Sequence, residues 1–179
     1  VPASKTAGAF PLVLNTGRIR DQWHTMTRTA KTPRLMSHLA EPFAEVHPSD
    51  AARYELRDGG LAVVRSRRAE VVLRVAVSMG QKPGSVFAPM HWTDQFASNA
   101  RVDALAEGHT DPVSGQPELK FTPVALAPYP ASWHGFAVLE QAPQRAGLDY
   151  WALARTKAGF RLELAGLSPL QDWTAFAHD

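Results

Sequence analysis

Hydrophobic and polar residues alternate most regularly in the stretch LAVVRSRRAEVVLRVAVS, which occupies residues 61–78. In its second half, apolar residues recur at every second position, which is the spacing of a β-strand with one face in a core. The residues expected to point inward are Val71, Leu73, Val75 and Val77. Residues 61–66 should form the partner strand and Arg67-Arg68 the turn. The stretch therefore predicts a hairpin at the centre of the fold.

Shorter apolar runs, separated by turns that contain Pro or Gly, predict further strands and only short helices. The expected strands of this first part are residues 11–14, 43–47, 85–90 and 121–127. Residues 33–39 should form a short helix, and a second helix should follow Pro48 with Ser49 as its N-cap. Together these elements predict a barrel-like part at residues 10–130, preceded by residues 1–9 as a disordered segment or linker start.

The chain continues with a second β-rich part. The segments WHGFAVLE, DYWALART and FRLELAG read as three strands with Gly or Pro turns between them, and LQDWTAFAHD as a closing helix. We therefore expect a small C-terminal extension at residues 131–179. The fold class predicted for the whole chain is mainly β with short helices.

Cations and hydrogen-bond donors are concentrated directly after the first predicted strand, in NTGRIRDQWHTMTR at residues 15–28. Neither helical nor strand periodicity holds there, so we expect a loop. The backbone N–H groups of a Gly turn beside the Arg18 guanidinium suit a phosphate or a pterin carbonyl, and Thr25 and Thr27 add hydroxyl donors. A solvated loop whose arginines meet surface carboxylates explains the same residues. Chemistry alone leaves both interpretations open.

Composition and net charge bear on the class of protein and on its possible partners. With 45% hydrophobic and 20% charged residues, the chain should fold around a sizeable core. It has no apolar run long enough to span a bilayer, and its start, VPASKTAGAF, lacks the features of a signal peptide. A formal net charge of +2 is too small to indicate nucleic acid as a partner. We therefore expect neither a nucleic acid nor a membrane partner.

Metal chemistry is not predicted within this chain. The absence of cysteine excludes thiolate metal sites, cysteine-ligated iron–sulfur clusters and a cysteine nucleophile. The seven histidines are scattered, and no two of them are four residues apart, whereas a closed metal site needs three or four converging ligands.

Several separated motifs, in order, nevertheless resemble one family. They are LNTGRIRDQWHTMTRT, AEVHPSDAA, DGG followed by VRSRR, KPGSVFAPMHW, SNA and DPVSGQPELK. Together, over roughly residues 10–128, they resemble the C-terminal molybdopterin-dinucleotide-binding domain of the dimethyl-sulfoxide-reductase superfamily. WHTMTR, FAPMHW and SNA are most similar to its nitrate reductase and formate dehydrogenase branch, and the C-terminal part is similar to the extension of bacterial assimilatory nitrate reductases.

The resemblance implies a double-psi β-barrel of the aspartate-decarboxylase-like type that forms one wall of a cleft for bis-(molybdopterin guanine dinucleotide) molybdenum. The cofactor-binding residues that carry over from the family pattern are Thr16, Gly17, Arg18, His24, Thr25, Thr27, Asn99 and, more loosely, Lys120. Two positions depart from the family pattern: Glu55 and Ala69 stand where the family commonly has Gly. No catalytic residue is expected within this chain.

The resemblance also implies that the molybdenum ligand and an iron–sulfur cluster lie upstream in a larger, cytoplasmic enzyme. The expected partners are then the upstream domains of the same polypeptide and an electron-donor protein or domain, and the isolated chain is expected to be inactive. Two alternatives stay open: the same domain of a formate dehydrogenase, and a stand-alone double-psi barrel that acts as an interaction module.

Overall fold

A closed six-stranded barrel forms the first part of the chain in the computed structural model, which describes residues 2–145 and 147–169. Its strands are β1 (Leu12–Gly17), β2 (Phe43–Val46), β3 (Leu61–Arg65), β4 (Glu70–Val77), β5 (Ser85–Pro89) and β6 (Thr122–Pro128). Around the barrel they follow the order β1-β5-β2-β4-β3-β6. The pairs β1–β5 and β2–β4 are parallel, and the other pairs are antiparallel. The predicted fold class, a mainly β chain built on a double-psi barrel, is confirmed.

The predicted hairpin lies within this barrel. β3 and β4 pair antiparallel from Leu61 opposite Arg74 to Arg65 opposite Glu70, and Leu73 is fully buried. Two side chains differ from the period-two prediction. Val77 is only half-buried because it ends the strand, whereas Val72, on the face expected to be outward, is 7% exposed because a later segment covers it.

The helices are short, as predicted. Among the described residues they are α1 (Pro33–Met36) and α2 (Pro48–Arg53), with 3-10 turns at Thr29–Lys31 before α1 and at Val102–Leu105. The prediction that Ser49 is the N-cap of α2 is wrong: Pro48 already occupies the first turn, so His47 is the cap and its Nδ1 accepts from Ser49 N–H at 3.1 Å. After α2, Glu55 has a left-handed φ of 56°, a conformation that favours glycine.

A three-stranded antiparallel sheet follows the barrel and contains the strands predicted for the extension. Its strands are β7 (Trp133–Leu139), β8 (Tyr150–Thr156) and β9 (Gly159–Gly166), with β9 in the middle. The closing helix predicted for LQDWTAFAHD lies outside the described residues. One face of this sheet has its own apolar cluster, with Trp151 and Leu164 at its centre.

The sheet is joined to the barrel by main-chain pairing. Ala152 in β8 forms an antiparallel bridge with Ala97, Leu153 N–H donates to Phe96 O at 2.8 Å, and Ser98 N–H donates to Trp151 O at 2.9 Å. The same segment extends onto the barrel. As a result, residues 96–99 lie between the two sheets like an extra strand.

A buried polar cluster also joins the two parts. The fully buried Tyr150 hydroxyl donates to Glu41 Oε2 at 2.9 Å, and Arg74 Nε donates to the same oxygen at 3.0 Å. Burial, followed by the nearby Glu41 carboxylate, raises the pKa of Tyr150 well above its usual value. The hydroxyl therefore stays protonated and can donate.

Residues 2–9, the described part of the segment predicted to be disordered or a linker start, make a side-chain contact with a later part of the chain and a local bridge. Ser4 is buried and its hydroxyl donates to Glu107, while Ala7 and Phe10 form an isolated bridge. Over the part of the chain that the structure describes, no helix has both the length and the apolar character needed to cross a membrane.

Candidate functional site

The donor-rich stretch begins inside the barrel wall, because β1 runs on to Gly17. Gly17 lies opposite Pro89 in the parallel β1–β5 pair, and its carbonyl accepts from Met90 N–H at 2.9 Å. A Cβ at Gly17 would overlap the ring of Phe87. Glycine at this position therefore lets a neighbouring ring approach closely, and a larger residue would displace that ring, independently of any ligand.

Thr16 and Lys120, which are far apart in sequence, meet at this strand end. Thr16 is buried, and its hydroxyl donates to Leu119 O at 2.8 Å. The Lys120 ammonium donates to the Thr16 carbonyl. Both predicted site residues thus make structural contacts here: the Thr16 hydroxyl is occupied within the domain, whereas the ammonium, with three N–H donors, retains capacity for a ligand.

The loop after β1 is fixed to the barrel by His91, which follows β5 and is fully buried. Its Nε2 lies 3.0 Å from Ile19 N, and its Nδ1 lies 2.7 Å from His24 O. The first contact requires an acceptor and the second a donor, so the imidazole is neutral with its proton on Nδ1. Burial, reinforced by the nearby Arg18 charge, lowers the pKa of His91 and favours this neutral form.

The loop conformation separates one buried side chain from its polar neighbours. His24 and Met26 both have left-handed φ angles, 44° and 61°, which are uncommon for residues other than glycine. Met26 is fully buried in the barrel core, while His24, Thr25 and Thr27 on either side of it are exposed. Met26 thus anchors the loop and leaves the polar side chains at the surface.

These exposed groups have spare hydrogen-bonding capacity. Among the described residues, the hydroxyls of Thr25 and Thr27 make no hydrogen bond and Arg18 makes no ion pair, although its guanidinium lies 5.6 Å from the ring centroid of Trp23. The acid of the loop, Asp21, is already occupied by Arg20 and His38. The loop therefore presents uncompensated positive charge and free donors.

Asn99 lies elsewhere on the segment that follows His91. Its backbone carbonyl accepts from Val72 N–H at 2.7 Å, at the part of β4 that β2 does not reach. Its exposed side chain borders a cavity of about 200 Å³. No hydrogen bond among the described residues joins Asn99 to the loop at 16–28, so its convergence with Arg18 on one ligand stays a prediction.

Sequence reasoning missed the role of His91, which it counted only among scattered histidines. The signal available was its position, directly after a buried strand and before Trp92, which is also buried. No group of three or more His, Cys, Asp or Glu residues within 2–145 and 147–169 is arranged to hold a metal ion.

The fold and this loop define a β-barrel domain that presents a cation-bearing, donor-rich surface at the end of its first strand. The chain belongs to the family described as "Molydopterin dinucleotide binding domain", which it matches over residues 12–123. The matched part contains the loop, His91 and Asn99. It ends within β6, before the C-terminal sheet.

Relatives of known name agree with this assignment. The chain is 49% identical to the nitrate reductase of Klebsiella oxytoca over 173 residues, which cover 96% of this chain and 20% of that protein. It is 34% identical to the assimilatory nitrate reductase catalytic subunit of Bacillus subtilis over 128 residues, which cover 72% of this chain and 18% of that protein. The chain thus spans about a fifth of the length of the curated relatives it matches.

A solved structure shares the fold. Acetylene hydratase from Pelobacter acetylenicus superimposes with a TM-score of 0.57 at 17% sequence identity, over 67% of this chain and 18% of that chain. At this level of identity the likeness concerns the fold of the domain.

Proposed function

We propose that this chain is the cofactor-binding domain of an assimilatory nitrate reductase and forms one wall of the cleft for bis-(molybdopterin guanine dinucleotide) molybdenum. The observation that carries the proposal is the match to the Klebsiella oxytoca nitrate reductase over 96% of the chain. Because that match extends beyond the family segment at residues 12–123, it includes the C-terminal sheet as well as the barrel.

The donor set suits this ligand. Two pterins and their phosphates present many acceptors and negative charge, and the loop offers Arg18, His24, Thr25 and Thr27 without acidic competition. Gln22 Oε1 and Trp92 Nε1 are also buried with no hydrogen-bond partner in the described residues. Buried polar atoms of this kind call for an explanation, and a bound polar group would supply one.

In this proposal the residues of the chain bind and orient the cofactor. Arg18 would bind phosphate through charge-assisted hydrogen bonds, which are stronger than neutral ones. Gly17 and His91 would hold the loop backbone in place, and Asn99 would pair with a heterocycle edge through its amide. When bound, the cofactor supplies the redox chemistry, in which nitrate takes up two electrons and two protons to give nitrite and water.

The molybdenum ligand, the iron–sulfur cluster and the electron supply are assigned to the parent enzyme. We propose that its upstream domains carry the molybdenum ligand and an iron–sulfur cluster, that a separate donor protein or domain delivers electrons, and that the enzyme is cytoplasmic. The isolated chain is then inactive, because it lacks the cluster and the other walls of the cleft.

An activity assay of the purified intact protein that contains this domain tests the proposal. With reduced methyl viologen as electron donor, it should convert nitrate to nitrite and contain iron, labile sulfide and molybdenum. The isolated 179-residue chain should give no nitrite above a buffer blank. Formate oxidation without nitrate reduction would assign the parent to the formate dehydrogenases. An intact protein that contains no molybdenum would favour an interaction module.

A further inference from the structure

A cavity of about 620 Å³ lies between α1 and the β8–β9 hairpin, at the junction of the barrel and the C-terminal sheet. Part of its wall is apolar and comes from Pro33, Met36, Ala40 and Ala154. Its size is within the range of about 300–1,000 Å³ that is usual for small-molecule sites. The β8 and β9 residues that line it lie outside the family match at 12–123, so the cavity is a feature of the extended chain.

The charged part of the wall is cationic. It consists of Arg34, Arg155, Lys157 and Arg161, beside the neutral polar residues Ser37 and Thr156, and no Asp or Glu among the described residues lines the cavity. Among the described residues, only Arg161 of these four has a carboxylate partner, Glu163. Arg155 borders the cavity, but it pairs with Phe160 on the face of the sheet that carries the separate apolar cluster, and its guanidinium lies 4.9 Å from the Phe160 ring centroid. The other three cations around the concavity repel one another, so an anion that binds there relieves this repulsion.

A buried hydroxyl adds a second, independent feature. Thr156 lies between two of the cations and lines the same cavity. Its Oγ1 is buried and has no hydrogen-bond partner among the described residues. A buried hydroxyl without a partner costs free energy, and an acceptor on a bound ligand would satisfy it.

We propose that this cavity binds a phosphate-bearing organic anion of nucleotide size. Guanidinium groups bind phosphate in a bidentate manner, and Lys adds a point charge. The apolar wall at Pro33 and Ala40, which are only partly buried, offers a surface for a ring, which a simple inorganic anion would leave uncovered. The site is independent of the proposed molybdopterin cleft, because it contains none of the residues of the loop at 16–28.

Calorimetric titration of the 179-residue chain tests the proposal, with ADP and inorganic pyrophosphate as probes at constant ionic strength. We expect saturable binding of both probes, with ADP tighter because of the apolar wall. Arg34→Gln and Lys157→Gln should each weaken ADP binding by about tenfold or more, as expected for the loss of a charge-assisted contact. Thr156→Val should weaken it by about 2–10-fold without lowering the midpoint of urea unfolding.

Two matched variants separate this site from other positive surfaces. Arg65→Gln removes the same charge from an exposed position on β3 and should not change ADP affinity. Arg18→Gln removes the charge from the loop and reports binding at the proposed molybdopterin cleft. No saturable binding at millimolar ADP, or an equal loss in Arg65→Gln, would overturn the proposal. A loss confined to Arg18→Gln would overturn it too, since the nucleotide would then occupy the proposed molybdopterin cleft.

Discussion

His91 ties the donor-rich loop to the barrel through two hydrogen bonds, and its replacement by Phe isolates that role. The phenyl ring keeps a buried aromatic group of similar size, so core packing should change little. What is lost are the contacts to Ile19 N at 3.0 Å and to His24 O at 2.7 Å.

The magnitude follows from these two contacts. A hydrogen bond within a protein contributes about 0.5–1.5 kcal/mol net, so the loss of two should destabilise the closed loop by about 1–3 kcal/mol. A difference of that size corresponds to about a 5–150-fold change in an equilibrium constant. The loop at 15–28 should therefore open about 5–150 times more often than in the unmodified chain.

Hydrogen–deuterium exchange of the isolated chain measures this directly. Amides in the loop should exchange faster in His91→Phe, whereas amides of β4 should stay protected. His134→Phe, at an exposed histidine on β7, is the matched control and should leave the loop unchanged. If loop exchange is the same in His91→Phe as in the unmodified chain, His91 does not anchor the loop. Equal acceleration in β4 would show that the histidine supports the core instead.

Three further predictions concern stability, measured by urea unfolding. Leu73→Ala should lower the free energy of unfolding by about 2–5 kcal/mol, since the side chain is fully buried; a loss below about 0.5 kcal/mol, typical of surface changes, would place it outside the core. Glu55→Gly should raise it by about 1 kcal/mol, because its φ of 56° suits glycine; a decrease would contradict this. Because burial lowers the pKa of His91 in the folded chain, the unfolded chain binds the proton at higher pH. The His91 contribution should therefore be constant above the usual histidine range and decline as pH falls through it, by at most about 1.4 kcal/mol per pH unit. The same decline in His91→Phe would show that other groups cause it.

The barrel strands could be predicted because their sequence pattern is local. β4 alternates with a period of two, and the turns around it contain the residues that turns require. The burial of Val72 could not be predicted from this pattern, because it depends on a segment 27 positions further along, whose Asn99 carbonyl pairs with its N–H. The N-cap of α2 was mispredicted for a local reason: Pro48 shifts the helix start by placing His47 in the cap.

The chemistry of the loop at 16–28 identifies it as a candidate site, but the sequence does not indicate which residues hold the loop in place. His91 and Lys120 reach it from distant parts of the chain, and no spacing rule links them to it. The docking of β8 onto residues 96–98 is likewise a tertiary contact. It means that the C-terminal sheet supports the segment that carries Asn99, a role that strand prediction alone does not indicate.

The cofactor content of the intact protein tests directly whether the loop at 16–28 binds the molybdopterin cofactor. Molybdenum and the guanine nucleotide released on denaturation would be measured per mole of purified protein, for the unmodified enzyme, for Arg18→Gln and for Arg65→Gln as the charge-matched control. Both contents should fall in Arg18→Gln and stay unchanged in Arg65→Gln, while both variants should unfold at the same urea concentration as the unmodified protein. Full molybdenum and guanine content in Arg18→Gln would contradict the assignment of this loop to the cofactor.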